Sequence, residues 1–156
     1  LMYMGIDPGM TGGIVILDAD GKIVSKHKMP ETLTVMVELF DYIYFEYTIQ
    51  HCCVELVHAI PMDTPKTAFV LGNNFGRLEI LLTTHRIPYE TVTPTKWQNS
   101  FGLKKEKNEG HTSWKNRIRD VGLRIYGMEK KDLILQISDA AMIARYCYHL
   151  YGRQKI

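Results

Sequence analysis

The chain has 156 residues, 46% hydrophobic and 23% charged, with a formal net charge of +2, the makeup of an ordinary globule that buries its own core. No apolar run approaches the roughly 18 residues of a membrane span and no signal-peptide pattern opens the chain, which argues against a membrane partner. Cys52, Cys53 and Cys147 are odd in number and lack metal-site spacing, so packed thiols in a reduced, cytoplasmic setting are expected.

Residues 2–7, 13–18 and 22–28 read as three strands of a meander, with Asp18-Ala19-Asp20-Gly21 as the turn between the last two. The first strand ends in a carboxylate, Asp7. The turn after it, Pro8-Gly9-Met10-Thr11-Gly12-Gly13, brings bare backbone close to that acid. Such an acid either holds a cation or binds its own turn. Met29-Pro30-Glu31-Thr32 then stops the sheet and caps a helix whose apolar residues fall at 33, 36, 37, 40, 43, 44 and 47.

The strand 51–57 contains Glu55 in the middle of an apolar run, where a carboxylate is costly unless paired, protonated or bound to a cation. A Pro-rich link over 59–65 leads to a helix near 66–86. Gly72 and Gly76, four apart, thin that helix for close packing of a neighbour or tolerate a crowded core. A strand at 87–92, a short helix from Thr93 to near Gly102 and a mobile charged loop over 103–111 follow. A basic helix spans 112–126, with Trp114, Ile118, Val121 and Ile125 turned inward. The last helix, 131–150, is apolar nearly all round yet carries Asp139 beside Ala140 and Ala141; those small residues let its backbone approach the sheet. This succession of strands and helices, without repeats or a linker, predicts one α/β domain over 1–156. It would be a five-stranded mixed sheet with helices on both faces.

The small net charge hides an asymmetry. Residues 96–131 hold ten Lys/Arg against four acids, while the rest holds nine against thirteen. A basic stripe on an otherwise acidic chain suggests a polyanion partner, against the plainer reading of a solvated charged face. Asp7, Glu55 and Asp139 all need accommodation in apolar surroundings. If the Glu55 strand lies beside the Asp7 strand and the last helix packs on their carboxyl ends, the three meet, and like charges so close need a cation. Oxygen-only sites of this kind suit Mg²⁺, with Mn²⁺ as substitute, and two ions about 4 Å apart serve attack of water on a phosphodiester. The alternative is three separate acids, each tied to a local backbone donor.

In its motifs the chain resembles the RuvC-type Holliday junction resolvases of the ribonuclease H-like superfamily. Met4-Gly5-Ile6-Asp7-Pro8-Gly9 with Thr11-Gly12-Gly13 is similar to the first acidic motif, and Val54-Glu55 to the second. Leu71-Gly72 with Gly76-Arg77 resembles the glycine-bearing helix, and Ser138-Asp139-Ala140-Ala141-Met142-Ile143-Ala144 the terminal acidic helix. Pro94-Thr95-Lys96-Trp97, with Phe101-Gly102-Leu103 and the lysines after it, is more similar to the compact phage-encoded branch, whose setting is the host cytoplasm.

The resemblance implies a ribonuclease H-like fold and a homodimer that nicks four-way DNA junctions with a divalent metal. It implies no nucleotide cofactor. Asp7, Glu55 and Asp139 become the metal-binding acids, and the glycine-bearing helix 66–86 the dimer interface. His58 falls where bacterial members carry an aromatic that intrudes on bases. Lys96, Lys104, Lys105 and Lys107 fall where family lysines approach the scissile phosphate, Lys107 and Lys104 being favoured for catalysis; Lys115 and Arg117 extend the DNA-binding stripe. One departure stands out: Gln136 occupies the place of an Asp or His, so this metal ligand brings no charge. Asp132, a turn upstream, reads as a helix N-terminal acid. Competing readings are a structure-selective branched-DNA binder with weakened chemistry, a ribonuclease H on RNA–DNA hybrids, and a phosphate loop of an actin-like sugar kinase, for which the chain is too short.

Overall fold

The computed structural model describes residues 1–152 except 59 and 62, so part of the link expected over 59–65 lies outside the described residues. The elements run β1 (Met2–Asp7), β2 (Gly13–Leu17), β3 (Ile23–Lys28), α1 (Leu33–Glu46), β4 (Ile49–Glu55), α2 (Pro65–Thr84), β5 (Tyr89–Val92), α3 (Pro94–Ser100), α4 (His111–Tyr126) and α5 (Leu135–Tyr151). Among the described residues the sheet has five strands in the order β3-β2-β1-β4-β5; the meander is antiparallel, and β4 and β5 join it in parallel. The expected α/β architecture is present.

Alternation along the strands divides the core in two. Met4, Ile6, Ile14, Ile16, Cys52 and Val54 face α1 and α2, against Met36, Phe40, Ile43, Leu78 and Leu82. Tyr3, Val15, Leu17 and Cys53 face the other way, against Trp97, Trp114, Ile118 and the buried flank of α5. Central strands covered on both sides carry near-continuous apolar runs, as β1 and β2 do. Cys52, Cys53 and Cys147 are free and buried. Among the described residues no helix is long and apolar enough to cross a membrane.

Helix α5 lies directly on β1, and Gly5 is the reason it can. A Cβ there would sit 2.1 Å from the Ala144 amide nitrogen and 2.5 Å from the Ala140 carbonyl oxygen. Both obstacles are backbone, so neither can swing aside. Gly5→Ala is therefore expected to destabilise the protein by about 3 kcal/mol or more. Urea denaturation checks this, and a loss under about 1 kcal/mol would mean that α5 shifts freely on the sheet.

Several boundaries differ from the sequence reading. Strand β4 begins and ends two residues earlier than expected, so Glu55 closes the strand instead of lying inside it. Helix α5 starts at Leu135, because residues 129–132 form a polar turn closed by the Asp132 amide on the Glu129 carbonyl. Asp132 thus lies outside the helix, its carboxylate accepting from the Glu129 amide and its carbonyl from the Lys26 ammonium. Buried Leu133 plugs the core just before α5 begins. Gly72 and Gly76 pack against none of the described residues: a Cβ at either would meet open space. The charged loop is pinned, since Arg117 grips both oxygens of Glu109 and the Lys104 carbonyl.

Candidate active site

Asp7 and Glu55 end neighbouring parallel strands. Ile6 pairs with Val54, so the two acids are the next residues along in the same register. Ile6 and Val54 point toward α1 and α2, so Asp7 and Glu55 project to the opposite face, where α5 lies. Asp139 is 4% exposed in the middle of α5.

Local contacts fix each acid. The Gly9 amide donates to Asp7 Oδ1 at 3.0 Å. Gly12 closes the turn; a Cβ there would lie 2.1 Å from the Asp7 carbonyl oxygen and 2.8 Å from its Cγ. The buried Asn74 donates its side-chain amide to the Pro8 carbonyl at 2.7 Å, tying α2 to the same turn. Trp97, fully buried on α3, donates its indole N–H to Glu55 Oε2 at 2.7 Å. The Lys115 ammonium on α4 pairs with Asp139 Oδ2, while the buried Asp139 Oδ1 has no hydrogen-bond partner among the described residues.

The charges of these groups reach one another. Burial, then the Asp139 carboxylate, raises the Asp7 pKa, against the opposing Gly9 amide and Lys115. Burial, then Asp7, pushes Glu55 up to about 8; Asp139 adds to this, while the Trp97 hydrogen bond and Lys115 oppose it. For Lys115, burial pulls downward, and the carboxylates of Asp139, Asp7 and Glu55 outweigh it, so its pKa rises. Three acids share one lysine.

A cavity of about 370 Å³ opens beside them, lined by Asp7, Thr11, His111, Lys115, Leu135 and Gln136. The Gln136 amide nitrogen donates to the Gly12 carbonyl at 3.3 Å, and its amide oxygen has no partner among the described residues. On the Glu55 side a second recess, of about 510 Å³, has His58 and His111 among its lining residues.

The other expected site residues lie farther out. Lys96 is exposed on α3, and Lys104, Lys105 and Lys107 are exposed in the loop before α4. None of these lysines lines the acid cavity; Lys115 does. Arg117 is engaged by Glu109 and stacks over Trp114 at 4.8 Å, positioning the loop. Three residues the sequence reading left without a role in the site belong to it: Trp97, Asn74 and His111. Thr93-Pro94 signalled the helix that carries Trp97, but nothing local told that its indole reaches Glu55.

A hard cation suits this donor set. The atoms offered by Asp7, Glu55, Asp139 and Gln136 are oxygens, one is a buried carboxylate oxygen left unpaired among the described residues, and the acids hold more negative charge than Lys115 cancels. Among the described residues no three His, Cys, Asp or Glu groups form a ready ligand set, the internal cation being the Lys115 ammonium. Lys115→Met would strand a buried carboxylate. It is expected to lower metal-free stability by on the order of 3 kcal/mol, with Mg²⁺ recovering part of the loss. Thermal melts with and without Mg²⁺ check this; unchanged stability would separate Lys115 from the acids.

No protein-family model and no curated protein sequence matches the chain. Solved structures do. The chain is similar to RuvC from Thermus thermophilus in complex with a Holliday junction substrate, at a TM-score of 0.70 and 15% identity over 97% of each chain. A second Thermus thermophilus RuvC structure matches at a TM-score of 0.66 and 16% identity, again over 97% of each chain. The fold is that of RuvC, ribonuclease H-like.

Proposed function

We propose that this RuvC-like chain is a divalent-metal-dependent endonuclease that nicks four-way DNA junctions, and other branched DNA, by phosphodiester hydrolysis. The carrying observation is the pairing of Asp7 and Glu55 at adjacent strand ends with Asp139 on the helix across them. Their excess negative charge and the unpaired Asp139 oxygen support an ion held by these three acids, and the Gln136 amide oxygen supports a second. When bound, Mg²⁺ or Mn²⁺ supplies charge neutralisation at the phosphate and a water of lowered pKa.

The chain's own groups do the rest. The Gly9 amide and the Trp97 indole aim the Asp7 and Glu55 oxygens, so these acids need no reorganisation when substrate arrives. Lys115 brings a positive charge to the wall of the cavity, where it stabilises charge developing on the phosphate oxygens. Lys96, Lys104, Lys105 and Lys107, exposed at the surface, and His58, in the recess on the Glu55 side, serve as contacts for the strands. Lys104 and Lys107 serve the strand leading to the scissile phosphate.

The outward face of α2 supports a homodimer. Phe69 and Ile80 are 73% and 66% exposed there, with Gly72 and Gly76 between them. We read 1–156 as one nuclease domain. The 94–103 segment supports a phage-encoded origin and a host-cytoplasm setting.

The test offers labelled junction, fork, flap and duplex DNA in Mg²⁺ and in Mn²⁺. Paired nicks in junction strands of like polarity are expected. A junction bound but uncut in both metals would overturn this reading in favour of a structure-selective binder, which the uncharged Gln136 favours.

A further inference from the structure

Next to the acid cavity lies a recess of about 360 Å³ between the β1–β2 turn, the end of β3 and α2. Thr11 lines both. Met10, Met29, Pro30 and Val70 supply apolar walls, and Glu31, Asn73, Asn74 and Arg77 the polar groups. Its size is that of a small-molecule pocket, ample for a nucleoside.

Arg77 sets the chemistry. It is half-buried, yet its guanidinium has no hydrogen-bond or ion-pair partner among the described residues. A planar fork of donors held without an acceptor suits a flat ligand with two adjacent acceptors. Glu31 offers the opposite, a pair of acceptors. Asn74 spends its amide nitrogen on the Pro8 carbonyl, which leaves its oxygen as a further acceptor. Guanine carries both patterns on one plane: O6 and N7 accept, and N1–H and the 2-amino group donate. Adenine puts an amino donor where guanine has O6 and lacks the N1 proton, so it meets Arg77 with the wrong polarity. The apolar walls suit the faces of the ring.

We propose that this recess receives one extruded base of the strand whose phosphate lies at Asp7, with guanine preferred through Arg77 and Glu31. This rests on the junction-nuclease reading, because a branch point is where a base leaves its stack at low cost. The Asn74 contact ties the recess to the turn that carries Asp7, so an occupied recess braces that acid.

The experiment places a fluorescent guanine analogue, quenched by stacking, singly at each position around the crossover of a four-way junction. Binding is read with wild type, Arg77→Ala and Val70→Trp, the last filling the recess should the first fail to fold. In parallel, nicking in Mg²⁺ and Mn²⁺ is scored on junctions carrying each of the four bases at those positions. A several-fold fluorescence rise at one position, absent in both variants, is expected. So is a preference for guanine there of about tenfold with wild type, reduced to near parity by Arg77→Ala. Nicking without a position-specific rise, or a rise that persists in both variants, overturns the recess proposal and leaves the nuclease reading standing. A rise lost in the variants, without nicking in either metal, overturns the nuclease reading and keeps the recess as a base site of a junction binder. Neither signal overturns both.

Discussion

Asp7→Asn is expected to abolish junction nicking, by on the order of 10³-fold or more, while junction affinity stays within about threefold. The substitution is nearly isosteric, and the Asn carbonyl oxygen still accepts the Gly9 amide, so the turn keeps its shape. What disappears is one negative charge at the end of β1. That charge raises Glu55, and Asp139 in turn raises Asp7, so losing it relieves repulsion in the metal-free protein. The variant should therefore melt no lower than wild type without metal, while gaining much less from added Mg²⁺. Opposite changes in cleavage and metal-free stability are the signature of a charged site carried at the expense of the fold. Single-turnover cleavage, junction affinity and thermal melts check the three parts. Normal cutting by Asp7→Asn would remove these acids from the chemistry altogether.

Metal affinity is expected to climb about tenfold per pH unit between pH 6 and 8, because Glu55 must give up a proton to bind a cation. Its carboxyl is raised from 4.5 to about 8, chiefly by burial and by Asp7. The folded protein then holds a proton that the unfolded chain has already lost across this range. Glu55's contribution to stability is therefore fully present below pH 4.5 and is lost as pH rises through about 8. The metal-free protein should melt at progressively lower temperature from pH 6 to 9, and Mg²⁺ should flatten the decline by taking the place of the proton. Titration calorimetry in buffers of different ionisation enthalpy counts the proton released at pH 7. A melting temperature that rises over this interval, together with metal binding that releases no proton, would contradict the burial of Glu55 among acids.

The acids themselves stood out in the sequence because each interrupts an apolar pattern: Asp7 at a strand tip, Glu55 in a run of Cys and Val, Asp139 among alanines. The sheet and its flanking helices were legible for a related reason. Strand alternation and helical spacing are local properties of the backbone, readable from a few residues at a time. The small residues beside Asp139 also announced a close approach of α5 to the sheet, while Gly5, which admits it against Ala140 and Ala144, emerged only from the packing.

Which positive charge reaches the acids was not local. Lys96, Lys104, Lys105 and Lys107 sit in the same basic stripe as Lys115, and composition cannot rank them. The packing of α4 against α5 turns Lys115 inward to Asp139 and leaves the other four at the surface. Trp97 and Asn74 likewise owe their places to contacts 42 and 66 residues away in the chain. The sequence by itself thus determined the elements and marked the three acids, since backbone periodicity and the cost of a buried carboxylate act residue by residue. The tertiary structure alone decided which lysine counters those acids, what holds their oxygens and where the neighbouring recess opens. Those outcomes depend on how separate helices stack on the sheet.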